Sequence, residues 1–180
     1  MPSVSDAIPP RPNWHETRIK MARALALRSL CTRDQVGAII VDKHFKVIGE
    51  GYNGPARFTK HNDKPCTEWC SRAQYHGEGG KYTEVTMGGS PHRLRRPDYS
   101  DCPALHAEAN ALMASDRSLR VQGTIYVTSH PCMACAKLIA NSGLTGVYVG
   151  YDGQHEYRRN EGVYAYLRNL GLTIWELEIK

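Results

Sequence analysis

The sequence predicts an α/β domain, one mixed sheet flanked by helices. Two observations carry that prediction. Short apolar runs of strand length alternate with segments whose apolar residues recur at helical spacing, in the order α-β-β-α-β-α-β-α-β. The chain is 180 residues long with 41% apolar and 23% charged residues, enough for one ordered core and too little for two. A tail over 1–12 and a single domain over 13–180 follow.

The elements come in order. Pro12 precedes a helix expected over Asn13 to Leu30, with Ile19, Ala22, Ala26 and Leu30 on one face. Gln35 to Val41 reads as a buried strand. Phe45 to Tyr52 pairs with it through the turn Asp42-Lys43-His44. From Asn53 to Asp101 glycine, proline and charge dominate and regularity is lost, giving a long loop insertion at about 54–101. Order returns with a helix over His106 to Met113 and a strand over Thr124 to Thr128. A helix over Cys132 to Asn141 is stopped by Gly143. A strand over Gly146 to Gly150, a helix over Glu161 to Asn169 and an alternating strand over Thr173 to Ile179 complete the sheet at five strands.

The formal charge of +5 suits an anionic small molecule better than a nucleic-acid groove, because no basic stretch is interleaved with aromatic residues. No apolar run reaches the roughly 18 residues of a membrane span, and residues 1–13 hold no signal-peptide core. A cytoplasmic location is expected. Six cysteines could make three disulfides, or ligate metal in a reducing compartment. The second use fits a chain without an export signal.

His106-Ala107-Glu108 and Pro131-Cys132-Met133-Ala134-Cys135 carry the chemistry. One imidazole and two thiolates make the three-ligand set of a catalytic zinc whose fourth position is open. Cys132 and Cys135 are three apart, so the first turn of a helix puts both sulfurs on one face, and Pro131 is a typical helix opener. His106 and Glu108 cannot share a mid-helix face, being about 200° apart in rotation, but both reach a metal off a helix N-terminus. Such a metal acidifies water, and Glu108 would carry the proton to the ring nitrogen and the departing amine. Alone, Cys132-x-x-Cys135 would suit a structural zinc knuckle or a redox dithiol better than catalysis, and Glu108 argues against an inactive zinc scaffold, which has no need of the acid. The added His-x-Glu pattern is the signature of zinc nucleobase deaminases.

Together with Gly51-Tyr52-Asn53-Gly54-Pro55 and His106-Ala107-Glu108-Ala109-Asn110-Ala111, these motifs make the chain resemble the zinc-dependent cytidine/deoxycytidylate deaminase family, and within it the deoxycytidylate (dCMP) deaminases. The resemblance runs from about Arg28 to Gly171. It implies a cytidine deaminase-like three-layer sandwich and hydrolysis of dCMP to dUMP and ammonia. Glu108 is then the catalytic acid–base, and His106, Cys132 and Cys135 hold the catalytic zinc. The implied substrate contacts are Asn53 near the sugar, Arg33 at the 5′-phosphate, the Ser129 carbonyl at the leaving amine, Tyr151 near the base, and Ala107. Asn53 could instead be a turn residue at positive φ, and His130 could line the pocket or sit on an exposed loop. The resemblance further implies a second, structural zinc on Cys31, Cys66, Cys70 and Cys102, with His61, His76 and His92 as substitutes. Also implied are a homo-oligomer, hexamer or dimer, and Mg-bound dCTP and dTTP as activator and inhibitor. A 5-substituted dCMP or a polynucleotide (tRNA adenosine or single-stranded DNA cytosine) is the alternative substrate.

Overall fold

A computed structural model describes residues 11–32, 34–56, 60, 63–70, 83–87, 90–94, 102–151 and 160–178, with 83–87 and 90–94 known by backbone alone. The first helix, α1, spans Trp14–Ala26. Asn13 caps it reciprocally: its Oδ1 accepts from the Glu16 amide at 2.9 Å, and its own amide donates to Glu16 Oε2 at 3.3 Å. Ile19, Ala22 and Ala26 are buried as their spacing requires, but the helix stops a turn earlier than Leu30. The last turn tightens, with Arg28 and Ser29 donating back three residues to Leu25 and Ala26. The Leu30 carbonyl is taken instead by the Cys66 amide at 3.2 Å. Leu30 is 41% exposed, and Cys31 lies beyond the helix.

Strands β1 (Gly37–Val41) and β2 (Val47–Tyr52) form the expected hairpin. Its turn runs through Phe45, at φ 61°, and Asp42 Oδ1 accepts from the amides of His44 and Lys46. Within the stretch expected to lack regularity, the chain makes a 3-10 turn at Cys66–Glu68 and a second hairpin, β3 (Thr83–Met87) with β4 (Ser90–Leu94). Sequence pattern missed that hairpin because Pro91 and the charged residues Glu84 and Arg93 hide its alternation.

Next come α2 (Ala107–Met113) and the single turn α3 (Arg117–Arg120), which was not anticipated and is capped by Asp116 accepting from Ser118. Strand β5 (Thr124–Val127), helix α4 (Met133–Ala140), strand β6 (Gly146–Tyr151), helix α5 (Glu161–Asn169) and strand β7 (Thr173–Glu178) follow. Gly143, at φ 93°, takes the left-handed conformation just past α4.

The five-stranded sheet has the order β2-β1-β5-β6-β7. β1 is antiparallel to both neighbours, whereas β5, β6 and β7 run parallel, so the sheet is mixed as predicted. α1 covers one face over Ile39, Val41 and Tyr126. The opposite core joins Ala38, Ile40, Ile125, Val127, Val147 and Val149 to apolar residues of α2, α4 and α5. All five β1 residues are buried, which explains its unbroken apolar run.

One consequence fixes the site. Because β1 opposes β5, the start of β1 and the end of β2 lie at the same sheet edge as the carboxyl ends of β5 and β6. That edge is where open α/β sheets receive ligands. Thr128 ties it together, donating from its amide to the Gly37 carbonyl at 3.1 Å and accepting from the Gly37 amide at 3.0 Å through Oγ1.

Candidate metal centre and substrate edge

Two helix N-termini converge at this edge. His106 is the N-cap of α2, with extended backbone (φ −75°, ψ 154°), and Glu108 lies in the first turn. The extended cap resolves the rotational problem, since an N-cap imidazole is not bound to the helical 100° step. Cys132 is likewise the N-cap of α4, its sulfur accepting from the Cys135 amide at 3.5 Å.

α2 is held against β2 by glycine. A Cβ built on Gly51 would stand 2.4 Å from the Ala111 amide nitrogen and 2.5 Å from the Ala107 carbonyl oxygen, so only glycine permits this approach. Three further bonds set the helix start. Gly54 and Leu105 exchange both backbone hydrogen bonds, at 3.1 and 2.8 Å, and Asn110 Nδ2 donates to the Tyr52 carbonyl at 2.8 Å. The two glycine- and asparagine-containing motifs are thus one structural unit.

His106 Nδ1 lies 3.3 Å from Cys135 Sγ and 3.6 Å from Cys132 Sγ. The ligand atoms of all three residues fall within 4.8 Å of one another. A tetrahedral zinc with ordinary Zn–N and Zn–S bonds separates nitrogen from sulfur by about 3.5 Å, so this donor set fits that ion. A hydrogen bond from Cys135, reinforced by His106, holds the Cys132 thiol down to about 4. The same bond to Cys132 and then burial push Cys135 upward. Its hydrogen bond to Cys132 raises His106. A cluster that shares protons this tightly is one a divalent cation can take over by displacing them.

Glu108 is only 4% exposed, and burial raises its carboxyl above the usual range. It also hydrogen-bonds the Cys135 thiol and feels the charges of His106 and Cys132. A proton-holding carboxyl beside a metal-ready triad is the arrangement that general acid–base chemistry on a metal-activated water requires.

The other expected site residues divide. Ser129 is buried in the connection from β5 to α4, and Tyr151 is half-buried at the end of β6, both at the same edge. Ala107 contributes its side chain to the core, leaving its amide, in the first turn of α2, as the part able to meet a ligand. Arg33 lies outside the described residues.

Asn53 does something the sequence did not suggest. It is not among the residues at positive φ, so the turn explanation fails. Its Oδ1 accepts from the Val36 amide at 2.8 Å and its Nδ2 donates to the Asp34 carbonyl at 2.9 Å. The amide therefore clamps the segment leading into β1, keeping one N–H for another partner.

His130 is buried, not exposed on a loop. Its Nδ1 pairs with the Tyr164 hydroxyl of α5 at 2.6 Å, and that hydroxyl donates to Glu176 Oε1 of β7 at 3.1 Å. No spacing signal could have revealed this chain, which joins residues 34 and 12 apart.

Of the four remaining cysteines, Cys70 and Cys102 approach to 3.8 Å between sulfurs, and burial with the neighbouring Cys70 raises Cys102 to about 11. Cys66 Sγ accepts from the Thr32 amide at 3.2 Å. Among the described residues, no three of these thiols draw together as His106, Cys132 and Cys135 do. No disulfide joins any of the six. His61 and His76 lie outside the described residues, as does the side chain of His92.

Comparison with known proteins agrees with the geometry. The family model for the cytidine and deoxycytidylate deaminase zinc-binding region matches residues 12–151. The deoxycytidylate deaminase of Mycobacterium phage D29 is 40% identical over 142 residues, covering 76% of this chain and 94% of that protein. That of Enterobacteria phage T4 is 32% identical over 182 residues, covering 89% and 94% respectively. In fold, the chain resembles the dCMP deaminase of cyanophage S-TIM5, solved in complex with dCMP and dUMP, at a TM-score of 0.59 and 24% identity over 93% of this chain and 98% of that one.

Proposed function

This chain belongs to the cytidine and deoxycytidylate deaminase family, and from that premise we propose that it hydrolyses dCMP to dUMP with release of ammonia, feeding thymidylate synthesis. The observation that carries the chemistry is His106 Nδ1 at 3.3 and 3.6 Å from two thiols, with the buried Glu108 beside them. The similarity to the phage D29 enzyme over nearly all of its length supports the substrate.

His106, Cys132 and Cys135 would hold a zinc, which would supply an acidified water as nucleophile and Lewis acidity for attack at C4. Every other step falls to the chain. Glu108 accepts the water's proton, passes it to the ring nitrogen, and then moves a proton to the departing amine. Burial suits it to both tasks, because a carboxyl raised above its ordinary value is a better proton carrier near neutrality. The Ser129 carbonyl accepts from the amine as it leaves. Asn53 meets the sugar through its remaining N–H while holding the strand entry, and Tyr151 flanks the base. Arg33, directly before the clamped Asp34 in sequence, offers a planar fork for the 5′-phosphate.

The finer features follow the same proposal. A second zinc on Cys31, Cys66, Cys70 and Cys102 would tie the 54–101 insertion to the end of α1; the 3.8 Å Cys70–Cys102 separation supports it, being about a tetrahedral S–S edge. Control by dCTP and dTTP, assembly into a homo-oligomer and a cytoplasmic location rest on the family resemblance. No helix among the described residues is long and apolar enough to cross a membrane.

An ammonia-release panel tests the substrate. It compares cytidine, deoxycytidine, CMP, dCMP, a 5-substituted dCMP and dCTP, each with and without dCTP or dTTP as effector. Highest kcat/KM on dCMP is expected. Turnover of nucleosides but not nucleotides would overturn the substrate while leaving the metal chemistry intact.

A further inference from the structure

The connection between β5 and α4 carries Ser129 and ends in Cys132. Pro131 has no N–H to give. Thr128 ties the connection at its start through Gly37, and Cys132 is tied at its end through Cys135. Between them stands His130, whose side chain is only 2% exposed and is anchored on the far side of the core.

Donor bookkeeping defines that anchor. The Tyr164 hydroxyl has one proton, and a carboxylate can only accept, so the 3.1 Å bond spends that proton on Glu176. The hydroxyl oxygen is then the acceptor in the 2.6 Å contact, and the imidazole must donate from Nδ1. Glu176 thereby sets the hydrogen-bonding direction of a ring two residues from a metal ligand. The Tyr151 ring lies 6.2 Å from the His130 ring, centroid to centroid.

We infer that the chain Glu176–Tyr164–His130 is a positioning device: it fixes the His130 ring as its Nδ1–H form, and through that ring places the Ser129 carbonyl and the Cys132 sulfur. None of the three is a catalytic residue. Their effect is on the placement of groups that meet the leaving amine and the metal, so it appears in the transition state more than in binding. The kinetic consequence rests on the proposed dCMP reaction; the form of the ring does not.

Two readouts on the zinc-loaded protein test this. The first is the nitrogen-15 NMR signature of His130. In the parent, the protonated nitrogen is Nδ1. In Glu176→Ala the hydroxyl proton is released to turn toward the ring and should shift the ring proton to Nε2, whereas Tyr164→Phe leaves Glu176 Oε1, 3.9 Å from Nδ1, as an acceptor that keeps the proton on Nδ1. Glu176→Gln keeps a carbonyl acceptor and should retain the parental pattern. The second readout is kinetic: Tyr164→Phe and Glu176→Ala should lower kcat on dCMP about tenfold with KM within twofold, and Glu176→Gln should stay within twofold of the parent in both. Zinc content should be unchanged throughout.

An unaltered His130 pattern in Glu176→Ala, or kcat within twofold of the parent in both Tyr164→Phe and Glu176→Ala, overturns the inference. Glu176 lies on an edge strand and is partly exposed, so its variants answer the question if Tyr164→Phe does not fold. A parent that releases no ammonia from dCMP overturns the substrate instead, and the NMR arm then decides the positioning chain alone.

Discussion

His106 Nδ1 and Cys135 Sγ lie 3.3 Å apart across 29 positions of sequence, each at the N-terminal end of a different helix. A metal here takes Cys135 as a thiolate, whereas the hydrogen bond with Cys132 and then burial push that thiol up, so binding must displace its proton. Cys135→Ser should therefore lose the zinc of this site and all measurable turnover. Removing the metal from the parent with a chelator should lower its melting temperature as well as its activity. Zinc retained at full stoichiometry in Cys135→Ser with the other cysteines intact would show that the triad is not the binding site.

Glu108 separates metal binding from chemistry. Glu108→Gln preserves its size and should leave zinc bound while lowering kcat by about 10²–10⁴-fold, the usual contribution of a positioned proton carrier. Stability should respond in a defined direction. Burial raises the Glu108 carboxyl above its ordinary range, so the folded zinc-free chain binds this proton more tightly than the unfolded chain does. That contribution is complete below the unfolded value and disappears as pH rises through the folded one. Denaturant titrations of zinc-free parent and Glu108→Gln across that window should show a stability gain for the variant that grows with pH. A parallel pair of curves would mean that Glu108 is not buried as a carboxyl.

Much of this was legible because local pattern and tertiary role coincided. The unbroken apolar run of β1 is buried on both faces, the spacing of Ile19, Ala22 and Ala26 matches the face of α1, and the His-x-Glu and Cys-x-x-Cys motifs each open a helix. Legibility ended where function depends on contacts between distant residues. Leu30 kept helical spacing, yet its carbonyl went to Cys66, which ended the helix early. The clamp of Asn53 on Asp34 and Val36 and the bond from Tyr164 to His130 leave no periodic trace. The β3–β4 hairpin was hidden by a proline and charges within short strands.

Glycine at position 51 is required by contact with backbone, and glycine at position 54 is not. A methyl group on Gly51 would meet the Ala111 nitrogen and Ala107 oxygen of α2, neither of which can rotate away. One on Gly54 would meet only the Tyr52 ring at 3.7 Å, an ordinary contact. Gly51→Ala should destabilise by about 1–3 kcal/mol or more by forcing α2 from the sheet, and should weaken zinc binding because His106 moves with the helix. Gly54→Ala should remain within about 0.5 kcal/mol of the parent in urea denaturation. Equal effects of the two substitutions would refute the close approach of α2 to β2.

Substitution can part the clamp that Asn53 makes before β1 from the sugar contact proposed for it. Asn53→Ala removes an acceptor from the Val36 amide and a donor from the Asp34 carbonyl, a loss of about 1–3 kcal/mol for two partly buried bonds. Asn53→Asp keeps the acceptor for Val36 and sets a carboxylate against the Asp34 carbonyl, so it should recover only part of that stability. The clamped segment Asp34–Val36 follows Arg33 in sequence, so if Arg33 holds the phosphate as proposed, loosening the clamp should weaken that contact. KM for dCMP should rise several-fold in Asn53→Ala, whereas any residual turnover of deoxycytidine, which has no phosphate to place, should change less. Equal losses on both substrates would assign Asn53 to the sugar alone and leave the segment before β1 without a part in phosphate recognition.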